Sequence, residues 1–250
     1  MKIAIISDIH GNMEAFESVL NDIQKENADK IVCLGDIAMA GPEPVKTVEK
    51  VMELSNNDNF VLVQGNTDKM LSEYSSETVE KIARLNEIMA NAYKYDHAEL
   101  LNEHIRFLAN IQPKAEFDYK GISVLFVHGS PRANDENIFP DMELSVVEEM
   151  LRGVPQQLIF CGHTHLPCGY QTNSNQTVVN VGSVGRPFSE DPKSCYAILE
   201  IDDKTSAVTI LHKFVSYDFK TASNKLAKRS YFGSDILAKM LEKASSRYPE

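Results

Sequence analysis

Seven side chains of metal-ligating type stand just past five short apolar runs. Ile3–Ile6 leads to Asp8-Ile9-His10-Gly11-Asn12, Ile31–Leu34 to Gly35-Asp36, and Phe60–Val63 to Gly65-Asn66-Thr67-Asp68. Val124–Val127 leads to His128-Gly129, and Leu158–Cys161 to Gly162-His163-Thr164-His165. Singly, each motif is weak: a Gly-Asp after a strand is usually a turn. Five in succession, each after an apolar run, would gather two Asp, one Asn and four His at one strand-end basin. The candidate metal ligands are Asp8, His10, Asp36, Asn66, His128, His163 and His165, with Asp36, Asn66 and His128 expected to act in catalysis.

Imidazole and oxygen donors without thiolate suit manganese, iron, zinc or nickel better than calcium or a structural cysteine-bound zinc. Manganese is expected first, and cobalt is a further alternative. Seven ligands are too many for one tetrahedral ion and natural for two divalent ions sharing a bridging carboxylate. Two metals roughly 3.5–4 Å apart clamp a phosphoryl oxygen and acidify a bridging water. The expected reaction is hydrolysis of phosphate esters by in-line attack of hydroxide.

The elements that must position these residues are legible as pattern. The first two thirds of the chain alternates apolar runs with helical periodicity, as in an α/β sheet. A helix from about Asn12 carries Met13, Phe16, Val19, Leu20 and Ile23 on one face. Gly41-Pro42 precedes a second helix with Val45, Val48 and Met52. Residues 70–112 read as a polar, mostly helical insertion or cap that stops at Pro113. A further helical stretch carries Leu144, Val147 and Leu151. From Val178 the pattern turns to adjacent strands, VVNV, CYAILEI and AVTILHKF, which suit a second sheet built from hairpins. A helical tail covers 220–250. Nothing has the composition of a linker, so residues 1–250 read as one domain.

Composition sets the outer bounds. The net charge of −11 argues against bulk nucleic-acid binding, which needs a basic surface. It is compatible with a small anionic substrate, because bound cations reverse the local field. No apolar run approaches a membrane span, and the start lacks the features of a signal peptide. Cys33, Cys161, Cys168 and Cys195 form no C-x-x-C pair and read as reduced thiols of a cytoplasmic protein. A monomer or small homo-oligomer is expected.

D-x-H, G-D, G-N-x-D, H-G and G-H-T-H in this order resemble the calcineurin-like metallophosphoesterases. Asn180-Val181-Gly182-Ser183-Val184-Gly185-Arg186-Pro187 resembles a segment of their small bacterial and archaeal members. The likeness runs from residue 1 to about 215. It implies an α/β fold, a four-layer α/β/β/α sandwich of two facing mixed sheets with the site at the sheet edges. It implies one metal held by Asp8, His10, Asp36 and His165, and a second held by Asp36, Asn66, His128 and His163. One position departs from the pattern: many members carry a histidine after the Asn, beside the leaving group, where this chain has Thr67.

Other candidates have two readings each. Asn12 could touch substrate or cap the following helix. Arg132 could pair with phosphate or be an exposed surface arginine, and Asp68 could orient a ligand or merely start a helix. Thr67 is counted with Asn12 and Arg132 as a substrate contact. His97, His104 and His212 match no motif. The leading function is a metal-dependent phosphodiesterase or phosphatase acting on small phosphate esters or nucleotides. A dinucleoside polyphosphate hydrolase, such as one acting on diadenosine tetraphosphate, is the alternative within enzymes. A non-catalytic protein-binding scaffold of the same fold is the alternative outside them, discriminated by loss of ligands.

Overall fold

The computed structural model describes residues 1–248. Alternation of side chains along the first strand decides the architecture. In β1 (Lys2–Ile6), Ile3 and Ile5 pack into one apolar cluster while Ala4 and Ile6 pack into another. A strand buried on both faces must lie between two layers. The chain continues through α1 (Met13–Glu26), β2 (Lys30–Cys33), α2 (Pro44–Leu54) and β3 (Phe60–Leu62). α1 buries Ala15, Phe16, Val19 and Ile23, the face its periodicity announced.

Four helices follow: α3 (Asn66–Ser72), α4 (Ser76–Leu85), α5 (Glu87–Glu99) and α6 (Asn102–Asn110). They fill the insertion expected at 70–112. β4 (Lys114–Tyr119), β5 (Ile122–Val127), α7 (Leu144–Met150), β6 (Leu158–Cys161), β7 (Cys168–Gln171) and β8 (Thr177–Asn180) come next. The chain closes with β9 (Lys193–Ile201), β10 (Val208–Ser216), α8 (Phe219–Ala227) and α9 (Ser234–Glu242). These two helices form the expected tail, whose last two residues lie outside the described ones.

Two five-stranded mixed sheets result, ordered β10-β9-β1-β2-β3 and β4-β5-β6-β8-β7. Between them lies a core of Ile3, Ile5, Val32 and Leu34 from the first sheet against Val124, Phe126, Leu158 and Phe160 from the second. The outer face of the first sheet is covered by α1, α2, α5, α8 and α9, and that of the second by α7. This is the four-layer α/β/β/α sandwich.

The late strands require a correction. β9 and β10 do not build the second sheet: β9 pairs antiparallel with β1, Ile3 opposite Leu199, and so extends the first. The second sheet takes β5 and β6 from the middle of the chain, with β8 parallel to β6. Its edge strands β4 and β7 carry alternating half-buried and exposed residues and little apolar signal, and neither was foreseen.

Candidate metal centre

Five of the seven candidate ligands sit where the backbone turns left-handed. Asp8 (φ 57°), His10 (45°), Asp36 (56°), His163 (68°) and His165 (62°) occupy the region that residues with a Cβ rarely adopt. Such strain gathers at functional sites and is held by the surrounding structure. Two glycines permit the packing. A Cβ on Gly65 would lie 2.1 Å from Asp36 Oδ1, and one on Gly162 would lie 2.1 Å from Ser7 Oγ and 2.7 Å from Asp8 Oδ2.

Two trios form where the sheets meet. Asp8, His10 and His165 bring ligand atoms within 4.8 Å of one another, and so do Asp36, His128 and His163. Asp36 faces both, with Oδ2 3.6 Å from His10 Nε2 and Oδ1 3.4 Å from His128 Nε2. Asn66 joins the second trio, its Oδ1 3.0 Å from His128 Nε2. The seven residues read from sequence therefore converge.

Hydrogen bonds behind the site fix the imidazole tautomers. His10 Nδ1 donates to the Met39 carbonyl at 2.6 Å, His128 Nδ1 to that of Leu34 at 2.8 Å, and His165 Nδ1 to that of Arg186 at 2.6 Å. A carbonyl can only accept, so each neutral ring turns a bare Nε2 toward the site. The Nε2 atoms of His10 and His165 consequently face each other as lone pairs 3.1 Å apart. Asp8 Oδ1 is buried without a hydrogen-bond partner among the described residues and lies 3.3 Å from His165 Nε2. Acceptors crowded against acceptors, with a buried orphan carboxylate oxygen, fit a cation at each trio.

The charges agree. Burial pushes the Asp8 carboxyl up, but His165 and His128 beside it bring it down to about 2. Asp36 is held well below the usual carboxylate range, because His128 and His10 outweigh its burial. Burial drives His10 down to about 4, assisted by His165. Burial also lowers His163. His128 moves the other way: burial opposes its charge, yet Asp36 and Asp8 raise it to about 9.

Residues 1–204 match the family model of the calcineurin-like phosphoesterase superfamily domain. The chain belongs to this superfamily. An uncharacterized protein of Methanocaldococcus jannaschii is 33% identical over 242 residues, covering 90% of this chain and 92% of that one. A metallophosphoesterase from Sphaerobacter thermophilus shares 27% identity with a TM-score of 0.74, over 98% of this chain and 100% of that one. A hypothetical protein from Pyrococcus horikoshii shares 22% identity and the fold, with a TM-score of 0.85 over 98% and 99% of the two chains. Calcineurin-like phosphoesterases are metal-dependent, and this chain offers two places to bind metal.

The softer candidates fall out differently. Asn12 is fully buried and caps α1 through Oδ1, which accepts from Ala15 N at 3.2 Å. Its Nδ2 donates to the Gly185 carbonyl at 2.8 Å, so both ends of the amide are used within the protein. Arg132 is half-exposed and turns its guanidinium to Glu136. It stands on the wall of an open groove of about 500 Å³ that also includes Gln64, Lys69, Lys114, His128 and Ser130. Thr67 is buried, its N–H donating to Asp36 Oδ1 at 2.9 Å and its hydroxyl without a partner among the described residues. Asp68 accepts from the N–H groups of Asp36, Ile37 and Gly65, each at 2.9 Å, tying the second motif to the third.

His97 stacks on Tyr74, His104 accepts from Leu101 N, and His212 donates to the Asn180 carbonyl, all away from the centre. The buttress from the second half of the chain was missed. Asn180 Nδ2 donates to the Gly162 carbonyl at 2.7 Å and to Thr164 Oγ1 at 2.9 Å, holding the G-H-T-H turn. Ser183 Oγ and Gly185 N both donate to the Asp8 carbonyl at 2.9 Å. The Asn180–Pro187 segment carried the resemblance, but no pattern in it signalled these backbone contacts. Membrane insertion finds no vehicle among the helices, since none of the described residues form one long and apolar enough to cross a bilayer.

Proposed function

We propose that the chain is a metal-dependent hydrolase of phosphate esters with a dinuclear centre. The observation that carries this is the position of Asp36, one carboxylate oxygen toward each His-containing trio. Asp8, His10, Asp36 and His165 would hold one ion, and Asp36, Asn66, His128 and His163 the other. Bound divalent ions supply Lewis-acid polarisation of a phosphoryl oxygen and a water acidified toward neutral pH. Manganese suits the mixed nitrogen and oxygen donor set, as do iron, zinc, nickel and cobalt.

The protein's own residues orient and exclude. Backbone carbonyls hold three imidazoles with Nε2 forward, and Asp68 fixes the backbone that presents Asp36. His163 and Asn66 are partly exposed and form the open side. Thr67 offers a hydroxyl that can donate a hydrogen bond but cannot serve as a general acid near neutral pH.

A nucleotide substrate, including a dinucleoside polyphosphate, is the second reading. The groove beside His128 favours it: about 500 Å³ lies within the range of small-molecule sites, and Lys69 lines it without an acidic partner among the described residues. The scaffold alternative is disfavoured because all seven positions retain a ligating side chain. The deciding experiment is metal analysis of purified protein, then a panel of aryl monoesters, diesters and nucleotides with Mn²⁺ added. Failure to take up metal together with absence of hydrolysis overturns the proposal.

A further inference from the structure

Two cavities flank the second trio, and they share a wall. The groove of about 500 Å³ that includes His128 and a smaller cavity of about 220 Å³ that includes Asn66 are both lined by Lys69, Asn134 and Asp135. His128 Nε2 and Asn66 Oδ1 are 3.0 Å apart, so the two cavities meet at one pair of ligand atoms. Lys69 stands three residues after Asn66 in α3, on the same face of that helix. Asn134 and Asp135 belong to the loop that leaves His128, and the loop is held close. Ser130 N donates to the Ala133 carbonyl at 2.8 Å, and a Cβ on Gly129 would lie 2.7 Å from that carbonyl oxygen.

The charges on the shared wall are uncommitted. Elsewhere on the groove Lys114 pairs with Glu116 at 2.9 Å, and Arg132 with Glu136. Lys69 has no carboxylate partner among the described residues. Asp135, and Glu73 on the smaller cavity, likewise have no cationic partner among them. One ammonium and two carboxylates thus face the smaller cavity, which suits an uncharged group better than a second phosphate. A phosphodiester brings two arms and one negative charge. A phosphomonoester brings one arm and, near neutral pH, close to two charges, the second of which would meet Asp135 at like sign.

We propose that Lys69, Asn134 and Asp135 are specificity-determining residues, which seat a phosphodiester with its larger arm in the groove and a smaller, uncharged arm in the cavity beside Asn66. The inference rests on the hydrolase reading above and narrows its substrate class. Lys69 meets the single phosphoryl charge, Asn134 offers its amide to the arms, and Asp135 repels a second charge.

The test uses two probes with no ester bond to break. Diphenylphosphinate has two arms and one charge, whereas phenylphosphonate has one arm and, in alkaline buffer, two charges. Both are titrated calorimetrically into Mn²⁺-loaded native, Lys69→Met, Asp135→Asn and Thr78→Trp protein. Hydrolysis of bis(para-nitrophenyl) phosphate and para-nitrophenyl phosphate is measured in parallel. Thr78 lines the smaller cavity, and a tryptophan there would fill it. Native protein should bind diphenylphosphinate about 10-fold more tightly than phenylphosphonate. Asp135→Asn should tighten phenylphosphonate roughly 3- to 10-fold, and Lys69→Met should weaken both probes by about 10-fold. Thr78→Trp should weaken diphenylphosphinate about 10-fold more than phenylphosphonate. The diester-to-monoester ratio of kcat/KM should move in the same directions. Equal binding of the two probes by native protein overturns the assignment. So does a probe ratio that stays within about twofold of native in both Asp135→Asn and Thr78→Trp. If Thr78→Trp does not fold, the ratio in Asp135→Asn decides alone. Protein that prefers diphenylphosphinate as expected yet cleaves neither ester overturns the hydrolase reading instead and leaves the two-armed cleft standing.

Discussion

Asp8 commits one carboxylate oxygen to the backbone N–H of His163, 3.0 Å away across the two sheets, and leaves the other without a hydrogen bond among the described residues. The committed oxygen locks the first motif to the last, 155 residues further along the chain. The orphan oxygen points among three histidine Nε2 atoms, at 3.3, 3.8 and 4.0 Å. One side chain thus joins the sheets and faces the centre.

Asp36→Asn should abolish hydrolysis and remove most of the metal. The amide keeps the shape but loses the charge that faces both trios. Metal analysis of native and variant protein checks it. An Asp36→Asn protein that keeps two ions per chain and turns over normally would sink the bridging role.

Metal-free protein should lose stability as pH rises above 6.5 through His128, while below 6.5 His10 acts against Asp68 and Asp96, whose carboxyls burial raises to about 6. His10 has a folded pKa of about 4, below the usual value of 6.5. Between those values the unfolded chain binds more protons, so the His10 contribution falls as pH drops from 6.5 toward 4, whereas the raised Asp68 and Asp96 carboxyls add stability over the same fall. His128 has a folded pKa of about 9, so the folded chain binds more protons above 6.5. Its contribution is complete below 6.5 and is lost as pH rises through 9. Loading with metal replaces the His128 proton, and the alkaline loss should disappear. Thermal melts from pH 4 to 10, with and without Mn²⁺, read both slopes; an alkaline limb identical in the two states contradicts the assignment.

Asp68→Ala should cost about 3 kcal/mol or more, since three backbone N–H groups lose their acceptor. Metal affinity should fall with it, because the loop bearing Asp36 loosens. Denaturant unfolding and metal titration measure the two effects. A variant of native stability and affinity would show that the loops hold without the carboxylate.

Thr67→His should narrow the gap between aryl and alkyl esters. Native protein, lacking an acid at this position, should favour good leaving groups, and positioned acid catalysis is typically worth about 10²–10⁴ in rate. The ratio of turnover on an aryl and an alkyl ester is compared, with metal content checked in both proteins. An unchanged ratio with metal still bound means that Thr67 does not stand beside the leaving group.

Local signals in this sequence translated well and pairing signals did not. The runs ending at Ile6, Leu34, Val63, Val127 and Cys161 were visible because buried strands read as short apolar stretches, and all five lie on strands with the ligating residues just beyond. The helical insertion was visible as polar periodicity. Sheet membership was not, because β9 joins β1 through residues nearly two hundred positions apart, and nothing local to Lys193–Ile201 encodes that partner. β4 hid behind its charges: Lys114, Glu116 and Asp118 give an edge strand the look of a loop.

Each trio borrows from both sheets. Asp8 and His10 follow β1 and Asp36 follows β2, whereas His128 follows β5 and His163 and His165 follow β6. A nascent chain that has emerged only as far as β5 therefore owns no complete trio, however well its first half has folded. The same holds for a finished chain whose sheets have met in the wrong register. In protein saturated with metal, ion stoichiometry accordingly counts the molecules that are both fully synthesised and correctly assembled, and a batch that stays sub-stoichiometric is a mixture to be fractionated before its turnover is quoted.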